Sequence, residues 1–221
     1  MKLPVVIHRA RTGADEFRVV RPARPLPRAV LVDHDRYLGA YLDQEAARSI
    51  AALWTLAARS PRSLIHIPLR TPRSPDRAVP DPAGARLDLV LLHHSLQFAP
   101  SRWKEVRARL DPGRPHTANL PEANPPVTAP GTRHHRENRD LLHEHVRAGT
   151  LFMTGSAKVF HETAHHFLDI AHQGPTHTGT RHYCTQLHAN AGILGNAREL
   201  HIEYCAEWTD EETPATTATA T

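Results

Sequence analysis

Proline sets the terms on which this chain can fold, because each one holds φ at about −65° and removes a backbone donor. Nineteen prolines are spread over 221 residues, and six of them crowd into residues 111–133. That stretch carries almost no periodic apolar signal, so it reads as a linker or a long excursion that divides the chain. The organisation this predicts is an α/β-like region over 1–110, the proline-rich linker over 111–133, a histidine-rich α+β region over 134–208 and a disordered tail over 209–221. The expected fold class is α+β, a mixed sheet with flanking helices, its C-terminal half rich in histidine. Residues 134–221 hold twelve of the eighteen histidines.

Local patterns fill in the elements. Residues 3–9 and 17–20 flank Thr12-Gly13-Ala14-Asp15, a plausible hairpin turn. A strand is expected over 29–32. Asp43 can cap a helix running to about Arg59 with Ala47, Ile50, Trp54 and Ala57 as its buried stripe. Strands are expected over 63–69 and 87–92, the second delivering His93, His94 and Ser95 at its end, and a helix over 101–110. Between them, residues 71–84 are rich in Pro, Arg and Asp and read as a surface loop. In the second half, Leu141, Leu142, His145 and Val146 suit a helix over 136–148 stopped by Gly149. Residues 151–153 form a short strand, and Ser156 caps a helix over 157–173 whose stripe is Phe160, Ala164, Phe167 and Ala171. From 198 to 208 strict alternation predicts a strand pairing beside 151–153, with Leu200, Ile202 and Tyr204 on one face and Glu199, His201 and Glu203 on the other.

Charge and composition narrow the partner classes. The formal net charge is +4, and arginine supplies all but three of the 27 basic residues. No stretch forms a basic run interleaved with aromatics, so nucleic acid is a possible partner and not the favoured one. Cys184 and Cys205 are the only cysteines, too few for a disulfide framework. The apolar run at Val5-Val6-Ile7 is too short for a signal sequence, and no segment approaches the ~20 apolar residues of a membrane helix. A cytoplasmic, membrane-free protein is the expectation.

One short stretch has spacing that matches a known chemistry. His161-Glu162-Thr163-Ala164-His165 falls inside the expected helix over 157–173, where residues four apart lie on one face about 6 Å apart along the axis. Two imidazoles so placed can share a zinc ion, and Glu162 lies about 100° round the helix. Over these residues the chain resembles the zincin metallopeptidases. That resemblance implies that His161 and His165 bind zinc and that Glu162 acts as the general base on a metal-bound water. The metzincin extension is absent, with Leu168 and Ala171 where that pattern has glycine and histidine. A gluzincin-like site would draw its third ligand from a downstream glutamate, Glu199 or Glu203, and Glu203 is the candidate taken here. Set against this, His161, Glu162, His165, His166, Asp169, His172 and Gln173 together can be the solvated polar face of a histidine-rich helix.

Two lesser constellations carry ligand-type residues. His182, Cys184, His201 and Cys205 are ligand types suited to structural zinc, though their spacing matches no familiar finger. His93 and His94 at a strand end could contribute to a site. Phosphate-binding glycine loops and the G-x-S-x-G nucleophile turn are missing. The expected function is a zinc-dependent hydrolase of peptide or amide bonds; the alternative is a non-enzymatic regulatory or interaction protein whose histidines are compositional.

Overall fold

Two helices packed between two sheets carry the core. The computed structural model describes residues 1–70, 84–121, 138–180 and 183–208. Strands β1 (Lys2–Thr12) and β2 (Asp15–Pro22) form the expected hairpin, closed by Gly13 with φ +64°. They are followed by β3 (Ala29–Asp33), β4 (Leu38–Leu42), α1 (Gln44–Arg59), β5 (Ser63–Ile67), β6 (Ala85–Arg86), β7 (Asp88–His93) and α2 (Trp103–Ala108). The second half adds β8 (Arg114–Asn119), β9 (His143–Arg147), β10 (Thr150–Gly155), α3 (Ala157–Gln173), β11 (Cys184–Leu187) and β12 (Leu200–Tyr204). The molecule is α+β, with a seven-stranded mixed sheet in the order β8-β1-β2-β5-β7-β10-β9 and a five-stranded one in the order β11-β12-β4-β3-β6.

The alternation of each strand decides which layer its side chains join. In the large sheet Ile65, Ile67, Leu89, Leu91, Leu151 and Met153 face α1 and α3, and in the small sheet Leu31, Leu38, Leu42, Leu200 and Ile202 close over the same two helices. Leu64, Val90, Leu92 and Phe152 lie on the opposite face of the large sheet, under Trp103 and Val106 of α2. Trp54 of α1 is fully buried between Phe160 and Phe167 of α3, with ring centroids 5.5 and 4.9 Å away, and its indole N–H donates to Thr163 Oγ1 at 2.8 Å. Both helices start where their caps predict: Asp43 accepts from Ala46 N, and Ser156 Oγ accepts from Val159 N at 3.2 Å.

Three expectations are corrected. Residues 114–119, read as linker, form β8, which pairs antiparallel with β1 at the edge of the large sheet. The segment expected as a helix over 136–148 contains strand β9 where it is described. Ala148 and Gly149, at φ 51° and 68°, make the turn of a β9–β10 hairpin, and this is the job of the glycine read as a helix stop. The 198–208 segment does contain a strand, but β12 pairs with β4 and β11 in the small sheet and not with β10. The tail and most of the 71–84 loop lie outside the described residues. Among the described residues no helix is long and apolar enough to cross a membrane.

Candidate functional site

Helix α3 holds the five-residue motif. The apolar stripe of Phe160, Ala164, Phe167 and Ala171 is turned into the core, so His161 and His165 fall toward its open side, both half-buried. Glu162 is buried at 5% exposure, on the flank between that open side and the core. The Nδ1–H of His165 donates to the Glu162 carbonyl oxygen at 2.6 Å, and its ring stacks on His166 at 4.0 Å. His166 in turn shares a hydrogen bond with Thr185 Oγ1 of β11 at 2.7 Å, which ties this flank of the helix to the small sheet. Thr163, the spacer residue, is occupied in receiving the Trp54 indole.

A zinc ion on His161 and His165 needs a third ligand. Among the described residues no three of His, Cys, Asp and Glu gather closely enough to hold a metal ion. Glu203 stands across the sheet from the motif: Leu200 and Ile202 belong to the helix-facing core, so the intervening period places His201 and Glu203 on the far face of β12. The described residues therefore supply two imidazoles without a third ligand gathered beside them. Of the other cysteine–histidine constellation, His182 lies outside the described residues. His93 and His94 serve locally, the His93 ring capping the short helical turn at Ser95 with Nδ1 2.7 Å from Ser95 Oγ.

The far face of the small sheet is where Glu203 does find company. A pocket of about 420 Å³ opens there, and Glu203 is 7% exposed within its wall. Parallel pairing sets Glu203 beside Tyr41 and His201 beside Gly39. Gly39 leaves room that a side chain would close, since a Cβ there would lie 2.9 Å from both His34 and Tyr41. The Gln186 amide N–H, 2.9 Å away, donates to His201 Nδ1, which leaves the Nε2–H of His201 facing the Glu203 carboxylate at 3.6 Å. Tyr41 shares a hydrogen bond with His34 Nε2 at 3.2 Å, and burial, with the Glu203 charge beside it, holds its phenol well above the ordinary range, so the hydroxyl keeps its proton. The nearby thiol of Cys205 is pushed up to about 12 by burial and by the same carboxylate, so it is no nucleophile.

The pocket rim is the β3–β4 turn, which brings Arg36 and Tyr37. Asp35 in this turn has φ 63°, and Arg198 holds its carbonyl oxygen. The guanidinium of Arg198 donates to Asp33 at 2.6 and 3.2 Å and to the Asp35 carbonyl at 2.8 Å, while its Nε–H donates to Glu144 at 2.6 Å. His34 stacks on Tyr37 with centroids 4.7 Å apart. Arg36 is exposed and among the described residues forms no ion pair. Sequence reasoning named Glu199, His201 and Glu203 but missed Arg36, Tyr37, Tyr41 and Gln186. The apolar run at Leu38–Leu42, bounded by Asp33 and Asp43, is the signal that could have placed Tyr41 on a strand. Comparisons with protein-family models, with curated proteins and with solved structures find no match to this chain.

Proposed function

We propose that this chain is a binding protein of the regulatory or interaction type, and that its ligand is a small zwitterion of the α-amino-acid class seated in the Glu203 pocket. One observation carries the reading: a single pocket presents the buried carboxylate of Glu203 and the exposed guanidinium of Arg36, on a rim that Arg198 fixes before any ligand arrives. A carboxylate on the ligand suits the planar fork of Arg36, and an ammonium suits Glu203 with the faces of Tyr37 and Tyr41. A volume of about 420 Å³ is ample for such a molecule. Prior ordering of the rim lowers the cost of binding.

Calorimetric titration with a panel of L-amino acids tests this. The expected result is saturable binding of at least one of them, weakened about tenfold or more in Glu203→Gln and in Arg36→Ala. The matching amine without its carboxylate, and the acid without its amine, should both bind poorly. If no amino acid binds, or if both variants bind as well as the parent, the reading fails.

The hydrolase reading retains one support of its own. Because His165 gives its Nδ1–H to a carbonyl, Nε2 is left as the lone-pair nitrogen, the form a metal ligand requires. Its test is metal analysis after purification without chelators: about one zinc per chain, lost in His161→Ala, would favour it. Protein free of zinc, or zinc retained in that variant, would end it.

A further inference from the structure

At the edge of the large sheet, away from the Glu203 pocket, three arginines share one face. In β1 Leu3, Val5 and Ile7 turn toward the helices, so the two-residue period puts Arg9 on that same face, beyond the core. Val20 does the same for Arg18 in β2, and Ala118 for His116 and Arg114 in β8. Register completes the assembly: Arg9 stands directly opposite Arg18, Ile7 opposite Arg114 and Val5 opposite His116. The result is an open groove of about 640 Å³, with Ile7 in its floor and Asp111 at its margin.

The charges in the groove do not balance. Arg9 and Arg11 divide the single carboxylate of Glu16, at 2.7 and 3.2 Å. Asp111 Oδ1 accepts from the backbone N–H of Arg9 at 2.9 Å and of Gly113 at 3.1 Å. Arg18 and Arg114 are exposed, and among the described residues neither forms an ion pair. Like charges set directly opposite on neighbouring strands repel, so the Arg9–Arg18 pair carries a cost within the hairpin. An anion lying across the strands would relieve it.

The width of the cluster selects the anion. Arg114 and Arg18 stand on strands two spacings apart, roughly 10 Å, which is more than a single phosphate bridges. Guanidinium forks pair with phosphate oxygens two at a time, so three of them suit a row of phosphates better than one. The groove lining holds no Phe, Tyr or Trp on which bases could stack in succession, its one ring being the His116 imidazole. The geometry points to a binding site for an anion of two or more linked phosphates, recognised by Arg9, Arg18 and Arg114 through its charge and length. The site shares no residue with the amino-acid pocket and stands or falls apart from it.

Calorimetry with inorganic tripolyphosphate, in the presence of EDTA, tests the assignment on the full chain. Tripolyphosphate should bind, orthophosphate should bind about tenfold or more weakly, and affinity should fall as salt is raised. Both substituted residues being exposed, the double variant Arg18→Ala/Arg114→Ala should melt with the parent protein yet lose about tenfold or more of its affinity. A single-stranded oligonucleotide is the third probe. Absence of tripolyphosphate binding, equal affinity for orthophosphate, an unchanged double variant, or binding of the oligonucleotide alone would each overturn the proposal, the last by assigning the face to a nucleic-acid backbone.

Discussion

At the scale of single residues, His66 and Asp88 give this fold its dependence on acid. His66 Nδ1 accepts from Arg21 Nε at 2.9 Å, so the ring proton sits on Nε2, and Nε2 is a buried side-chain atom with no hydrogen-bond partner, 3.9 Å from Asp88. Burial under Trp103 pushes the imidazole pKa below its ordinary value, and the charges of Arg21 and Arg107 act in the same direction against the pull of Asp88. Asp88 is driven the other way. Its own burial opposes ionisation, but the imidazole, the Leu69 N–H and Arg70 outweigh that and hold its pKa at about 2.

The two signs add to one expectation. An unfolded histidine takes a proton near pH 6.5 while folded His66 resists it, so stability is intact above pH 6.5 and begins to fall below it. An unfolded aspartate ionises near 3.8, so the stabilisation from Asp88, about 2 kcal/mol, is complete above that pH and is lost as the pH falls toward 2. Melting curves should show a first decline between pH 7 and 5 and a second below 4. Asp88→Asn should cost about 3 kcal/mol at neutral pH, by leaving Arg70 and Arg107 beside an uncharged group, and should flatten the second decline. A melting temperature constant from pH 7 to 5 would contradict a neutral, buried His66.

At the scale of elements, Arg198 fastens pieces that are distant in the chain. It lies just before β12, holds Glu144 of β9 from the large sheet, and grips Asp33 and the Asp35 carbonyl in the β3–β4 turn. Hydrogen bonding to Asp33, ahead of the cost of burial, raises its already high pKa, so the clamp stays charged at any working pH. Arg198→Met should therefore cost about 2 kcal/mol and speed amide exchange in residues 34–37, with Arg198→Lys recovering only part because an ammonium cannot reproduce the fork. Exchange in that turn unchanged by either substitution would mean that the rim of the pocket is held by its own hairpin alone.

Elements were legible in sequence where local and tertiary demands agree. Helices α1 and α3 have a capping side chain, apolar residues at helical spacing and no internal proline, and each begins at the residue after its cap. Strand β9 is an exposed strand at the sheet edge, with Val146 38% exposed, so the period-two signal that burial would impose is absent and a helical spacing fits equally well. Strand β8 was hidden by Pro115 within it and by the prolines on either side, and an edge strand tolerates such a residue. The location of Glu203 was readable in part. If Leu200, Ile202 and Tyr204 cover the helices, Glu203 must point away from His161 and His165, and this follows from alternation alone. The cluster of Arg9, Arg18 and Arg114 was not readable, because strand register assembles it from residues up to 105 positions apart, counting 114 − 9.

At the scale of the whole molecule, both sheets depend on the same two helices. One continuous apolar cluster runs from Leu3 and Val20 through α1 and α3 to Leu200 and Ile202, and the chain crosses between sheets several times to build it. Residues Met1 and Leu120 exchange backbone hydrogen bonds at 2.7 and 2.9 Å, and β12 pairs with β4. Neither sheet can expose its inner face without stripping the apolar surface from α1, whose buried residues run without a gap from Ile50 to Ala57. Heating should accordingly give one transition, with far-ultraviolet dichroism and the near-ultraviolet signal of the tryptophans coincident. Trp54→Ala should lower both together, by about 3–5 kcal/mol, because it empties the contact between α1 and α3 and leaves Thr163 without its indole partner. Two separated transitions, or a loss of the Trp103 environment that precedes the loss of strand signal, would show that the sheets hold independently and that the helices between them are not the common core.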